Sequence, residues 1–128
     1  GFHTGVVVAR NRDSGQALAD RLGYSYAADI EGVTAPIIVN VTPIGMAGGV
    51  GEDDVAFADA TIRQARTVFD VVALPSETPL IAAARAAGVD VITGAQVIAL
   101  QAAEQFERYT GVRPSPEQIA EASALSRA

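Results

Sequence analysis

The segment Asn40-Val-Thr-Pro-Ile-Gly-Met46 joins side chains that donate and accept hydrogen bonds to two residues that dictate backbone geometry. Pro43 fixes φ and removes a donor, while Gly45 tolerates positive φ, so main chain there can approach a flat ligand closely. The apolar run Ile37 to Val41 delivers the segment abruptly to a turn and then to a glycine-rich loop. A ligand-facing strand end reads this way in an open α/β sheet, where crevices form beyond the carboxyl ends of parallel strands. Asn40 and Thr42 would then supply polar contacts. An ordinary strand-to-loop turn has the same composition, so the segment alone leaves both readings open.

Three other groups of residues carry possible chemistry. Arg10-Asn-Arg12 stands where a strand hands over to a helix. At the corresponding place in a dinucleotide-binding sheet, an acidic residue selects a free ribose 2′-hydroxyl and an Arg accommodates a 2′-phosphate. On that reading Arg10, Asn11 and Arg12 favour NADP over NAD, because the planar guanidinium donates two parallel hydrogen bonds to phosphate. A solvated helix start fits the spacing equally, although two cations at a helix N-terminus oppose its dipole and call for a reason. Asp70 is the one charge in an apolar strand, and a buried carboxylate needs partners, so pairing or backbone hydrogen bonding is expected of it before catalysis. Glu52-Asp-Asp54 places three carboxylates in a row, but consecutive side chains diverge and no His is near; a solvated loop or helix cap is expected, and no metal site.

Composition narrows the classes. The chain has 128 residues, 49% apolar and 19% charged, as one globular domain would. No apolar run approaches the roughly 18 residues of a membrane span, and no basic, apolar leader is present, so a cytoplasmic protein without membrane partners is expected. The formal net charge is −6, and all nine positive side chains are Arg, with no Lys. That balance disfavours nucleic acid, where phosphate neutralisation dominates affinity. Without Cys there are no disulfides or thiolate metal sites. A start at Gly1 in place of Met suggests a processed, cloned or proteolysed fragment.

The elements that must position these residues alternate. Gly5 to Ala9 reads as a strand buried on both faces, followed by a helix over 14–22 capped by Asp13 or Ser14 and ended by Gly23. Tyr24 to Ala27 reads as a short strand, Ile37 to Val41 as a strong one, and 57–66 as an amphipathic helix. Thr67 to Leu74 is a strand stopped by Pro75. A helix then runs from Ser76 or Thr78 through Ala87, and Val89 to Thr93 forms another strand. Gly94 opens a long helix, expected to be mostly buried, that Gly111 ends. Ser115-Pro-Glu-Gln118 has the form of a capping box for a last helix through Leu125. Such alternation implies an α/β fold with a parallel sheet and right-handed crossovers.

Asn40-x-Thr-Pro-x-Gly-Met46, Asp70-Val-Val-Ala-Leu-Pro75, Glu77-Thr-Pro-Leu80 and Gly94-Ala-Gln-Val-Ile-Ala-Leu-Gln101 occur in the order and spacing of the carboxyl-terminal half of shikimate dehydrogenases. The sequence resembles that family from about Val6 onward, and most closely its shikimate dehydrogenase-like branch, in which Ala stands at position 73 where typical members have Tyr. The resemblance implies a Rossmann-like parallel sheet with helices on both faces, lacking its first strand and Gly-rich turn: a single truncated domain, residues 1–128, of a two-domain enzyme. It implies NADP as cofactor, with Val41, Thr42, Val72, Gly94 and Val97 in contact with it, the stretch through Leu74 near the nicotinamide, and Val97 where typical members carry Met. Arg10 matches the Arg of the family's Asn-Arg-Thr motif; Ala9 and Asn11 depart from it. Gln101 matches the glutamine that contacts substrate hydroxyls, and the alternative for it is a helix-face glutamine bonded to backbone. The Lys and Asp pair that transfers protons in the family comes from its amino-terminal domain, so no catalytic residue is expected here. The implied whole is an NADP-dependent oxidoreductase of aromatic amino acid biosynthesis acting on shikimate or a related cyclic polyol acid; this chain alone would be inactive. The other reading is a noncatalytic nucleotide-binding or subunit-interaction module.

Overall fold

The computed structural model describes residues 2–125, so the unusual start at Gly1 lies outside the described residues. The chain forms two compact units that divide between Thr34 and Ala35. The first unit holds strand β1 (Val6–Val8), helix α1 (Arg12–Leu22) and strand β2 (Ser25–Ala27). The two strands are parallel, with Val6 opposite Ser25 and Val8 opposite Ala27, and α1 packs on both. Gly15 is buried on the inner face of α1, where a Cβ would fall 2.6 Å from the Tyr26 ring. Glycine therefore lets the helix close on the strand. Tyr26 Oη donates to the Ala9 carbonyl at 2.9 Å, tying the end of β1 to β2.

Two expectations change here. The helix begins earlier than its apolar pattern suggests, because Asn11 is the cap: its Oδ1 accepts the Ser14 N–H at 3.0 Å. Neither Asp13 nor Ser14 caps it. β1 is also not a strand buried on both faces. Among the described residues it pairs with β2 alone, and Val6 and Val8 are exposed.

The second unit is a three-stranded parallel sheet in the order β3 (Ile37–Asn40), β4 (Thr67–Asp70), β5 (Asp90–Thr93). Helix α2 (Asp59–Gln64) connects β3 to β4, α3 (Pro79–Ala86) connects β4 to β5, and α4 (Gly94–Thr110) and α5 (Pro116–Leu125) follow. α3 lies on β4 and β5, α2 on α3, and α4 on β5 and α5. The core is Ile38, Ile62, Ala65, Val68, Leu80 and Ala84, flanked by Phe57, Val89 and Val91. Leu80→Ala is expected to lower stability by about 2–5 kcal/mol, as buried leucine truncations do, read from the urea midpoint at unchanged slope.

The third and fourth strands end at Asn40 and Asp70, short of the apolar runs that contain them. Val71 to Leu74 is apolar yet leaves the sheet. α2 is shorter than its pattern, because Ala58 and Ala65 both take extended backbone at its ends. α4 departs furthest from expectation. Gly94, Ala95 and Ala103 are its buried residues, while Ile98, Leu100, Phe106 and Tyr109 are exposed. Its apolar residues encircle the helix, but among the described residues the elements it chiefly packs on are β5 and α5. The predicted box at α5 forms: Ser115 Oγ accepts the Gln118 N–H at 3.3 Å and Gln118 Oε1 accepts the Ser115 N–H at 2.9 Å.

Candidate ligand-binding site at the strand ends

The register of the second unit places Asn40 beside Asp70 and Asp70 beside Thr93, so the last rung of the sheet is a row of three polar residues. All three are buried. Each is followed at once by a change of direction: the loop from Val41, the loop from Val71, and α4. Buried polar side chains must find partners, and these do. Asp70 Oδ1 accepts from Asn40 Nδ2 at 3.0 Å and from the Val72 N–H at 3.1 Å, and Asp70 Oδ2 accepts from Thr78 Oγ1 at 2.7 Å. Thr78 in turn caps α3, its Oγ1 accepting the Ile81 N–H at 3.2 Å. Asn40 Nδ2 also donates to the Ile44 carbonyl at 3.3 Å, and its Oδ1 accepts from the Thr42 N–H at 3.0 Å and from Thr42 Oγ1 at 2.7 Å. Asn40 therefore makes all four of its hydrogen bonds internally, and its amide orientation is dictated by them.

This settles two expectations. Asp70 is a hydrogen-bonded structural carboxylate. Asn40, read from the sequence as a source of ligand contacts, has no free polar atom, because sheet register turns it inward onto Asp70. The need for partners at Asp70 was legible from its lone charge; Thr78 as one of them was not, because that pairing depends on the path of the chain between β4 and α3.

Around the row the outward residues are apolar. Val41, Met46, Val71 and Leu74 are exposed, and the Ala47 N–H donates to the Leu74 carbonyl at 3.0 Å, so the two loops meet. Gly45, with φ of 85°, sits where a Cβ would be 3.4 Å from Thr78 Cβ and Pro79 Cδ. Gly94 is tighter. A Cβ there would press on the carbonyl oxygens of Val71 and Val72, 2.5 Å from the latter. Thr93 and Gln96 form a capping box over this approach, with Gln96 N–H to Thr93 Oγ1 at 3.2 Å and Thr93 N–H to Gln96 Oε1 at 2.9 Å. The sequence shows this box as Thr-x-x-Gln, a signal passed over beside the more conspicuous Gly94.

The residues singled out in the sequence fall as follows. Val41 and Thr42 are exposed on the first loop, although Thr42 commits its N–H and its hydroxyl proton to Asn40. Val72 is buried within the second loop, its N–H donated to Asp70 and its carbonyl against Gly94. Gly94, Val97 and Gln101, spaced three and four apart, share one stripe of α4. Gln101 is exposed, and its side chain is not hydrogen-bonded to backbone among the described residues, unlike the alternative considered for it. Arg10, Asn11 and Arg12 lie in the first unit, at the start of α1; both Arg are exposed and neither forms an ion pair among the described residues. Glu52 accepts the Gly48 N–H in its own loop, and no cluster of potential metal ligands occurs among the described residues. A cleft of about 220 Å³ between Ser76, Arg85, Gln96 and Ser123 includes none of the sequence-predicted site residues, and its rim is bridged by the Arg85–Glu77 ion pair at 3.1 Å.

Parallel strands with a row of buried polar residues at their carboxyl ends, and glycines at the closest backbone approaches, define an α/β protein of the class that binds ligands beyond the carboxyl ends of its strands. The chain is homologous to the shikimate dehydrogenases, over their carboxyl-terminal portion. It is 54% identical over 127 residues to a shikimate dehydrogenase-like protein of Haemophilus influenzae, a match covering 99% of this chain and 47% of that protein. It is 37% identical over 120 residues to an NADP(+) shikimate dehydrogenase of Mesorhizobium japonicum, covering 89% of this chain and 42% of that one. A solved shikimate 5-dehydrogenase-like protein superposes with a TM-score of 0.96 at 53% identity, covering all of this chain and 48% of its own. Quinate dehydrogenase from Corynebacterium glutamicum, solved with NAD, superposes at 0.80 with 31% identity over 98% of this chain and 47% of its own. The Rossmann-like α/β class expected from the sequence is therefore correct. The chain spans about half the length of the relatives it matches. No family model matches it. No helix among the described residues is long and apolar enough to cross a membrane.

Proposed function

We propose that this chain is the NADP-binding, carboxyl-terminal part of a two-domain shikimate dehydrogenase-like oxidoreductase of the cytoplasm, acting in aromatic amino acid biosynthesis. The observation that carries the choice of cofactor is the pair Arg10 and Arg12, two exposed guanidinium groups that form no ion pair among the described residues, on either side of the helix cap Asn11. The residues fit the group. An unpaired Arg beside a helix N-terminus suits a phosphomonoester, and the absence of a Cβ at Gly94 keeps α4 close against the backbone of Val71 and Val72. The homology supplies the reaction class, and relatives named as NADP(+) shikimate dehydrogenases support the cofactor.

NADP, when bound, supplies the hydride acceptor or donor for a hydroxyl or ketone carbon of shikimate or a related cyclic polyol acid. Arg10, Asn11 and Arg12 hold the 2′-phosphate end. Val41, Thr42, Val72, Gly94 and Val97 would contact the cofactor, with Val72 near the nicotinamide. Gln101, one turn farther along the same stripe of α4, donates to a substrate hydroxyl. Proton transfer falls to residues outside these 128, since the chain has no Lys.

Steady-state kinetics of the full-length enzyme with NADP and NAD, using shikimate and quinate, test this reading. Arg10→Ala is expected to raise KM for NADP about 10- to 100-fold, the value of one or two charge-assisted hydrogen bonds, while leaving KM for NAD within about twofold. Equal effects on both cofactors would remove Arg10 from the phosphate. Absence of turnover with every polyol acid, alongside tight NADPH binding, would favour the noncatalytic module.

A further inference from the structure

We propose that Asp70 is a positioning residue that makes the loop after β3 and the loop after β4 a single ligand-facing wall. The proposal rests on the reading above, in which Val41, Thr42 and Val72 contact the cofactor. Asp70 sits fully buried at the centre of the last rung, on the middle strand of its sheet, and forms no ion pair among the described residues. Its three hydrogen-bond donors are neutral, and each leads to a different loop or helix end. Asn40 Nδ2 leads to the first loop, because the same amide holds the Ile44 carbonyl and its oxygen holds Thr42. The Val72 N–H is the second loop itself. Thr78 Oγ1 leads to the first turn of α3.

One carboxylate thus fixes both loops against a helix that is part of the hydrophobic core through Leu80 and Ala84. A carboxylate suits this place because it is all acceptor, with room for every donor that converges on it. An amide or hydroxyl would present a proton to at least one of them. Such shared networks are stronger than their separate bonds, and losing one member loosens the others. The arrangement places the crevice wall under the control of a side chain that no ligand can touch.

The test uses Thr78→Val and Thr78→Ser in the full-length protein, since Thr78 is the cap of α3 and is not among the residues proposed to contact the cofactor. Valine keeps the shape of threonine and removes the donor to Asp70; serine keeps the donor. Two readouts are taken. The first is amide exchange at Thr42, Val72, Ile81 and the core residue Val68. Thr78→Val is expected to speed exchange about tenfold or more at Thr42 and Val72 as well as Ile81, with Val68 unchanged and Thr78→Ser restoring all three. Faster exchange confined to Ile81 would overturn the proposal, leaving Thr78 as a helix cap only. The second is NADPH binding by cofactor fluorescence: Thr78→Val is expected to bind about tenfold more weakly, with serine near wild type. Wild-type affinity in Thr78→Val would overturn the functional half. If the wild-type protein itself fails to bind NADPH, the cofactor reading falls, and the exchange data still decide whether the two loops are tied.

Discussion

Gly94→Ala is expected to destabilise the protein by about 2–3 kcal/mol, although alanine is the better helix former. Propensity favours alanine over glycine inside a helix by up to about 1 kcal/mol. Gly94 is the first residue of α4, so that rule alone predicts a gain. Packing decides against it. A Cβ would enter the space of two backbone carbonyls, Val71 O and Val72 O, and backbone cannot rotate aside as a side-chain tip can. Overpacking of this kind costs about 1–3 kcal/mol, and more where main chain must move. The displaced segment is the loop proposed to border the nicotinamide, so weaker NADPH binding should accompany the lower urea midpoint. A midpoint that rises on substitution would mean that α4 can shift outward freely and that the close approach has no structural weight.

Asp70→Ala should cost about 3 kcal/mol or more, and Asp70→Asn distinctly less. Alanine leaves Asn40 Nδ2, Val72 N–H and Thr78 Oγ1 without acceptors, and each buried unsatisfied donor costs about 1–3 kcal/mol. Asparagine keeps the shape and one carbonyl, which can still serve Asn40 and Val72. Its amide faces Thr78 Oγ1, which can accept but then has nowhere to send its proton. Two of the three original bonds survive, so about 1–2 kcal/mol is expected. Chemical denaturation of the two variants measures the order directly. Equal losses would show that charge, and not acceptor count, sets the stability of this rung.

Much of the fold was legible in the sequence because its signals are local. The strand over Ile37 to Val41, the Gly23 and Gly111 helix ends, the Thr78 cap before Pro79 and the Ser115 capping box each depend on a few neighbouring residues. The errors in the extent and burial of the elements share one cause. Apolar runs report that a segment will be buried somewhere, and not how far the sheet extends or which faces are covered. The run over Thr67 to Leu74 predicted eight residues of strand where four pair, since Val71 onward turns off the sheet to meet the Ala47 loop. α4 looked buried all round and is not, because this chain supplies neighbours for only part of its circumference.

The sequence by itself determined the alternating α/β class, the homology carried by four ordered motifs, and the candidates Arg10, Thr42, Gly94 and Gln101. These follow from residue type and short spacing, which the chain carries wherever it goes. Only the tertiary structure decided that Asn40 faces inward, that Asp70 is held by Thr78 and Val72, and that Gly94 is small because two carbonyls lie against it. Those facts depend on register between parallel strands, and parallel neighbours are joined through long crossovers. Which side chains meet on the last rung is therefore set by the packing of α3 and α4 against the sheet, a property of the assembled unit that no local stretch of sequence encodes.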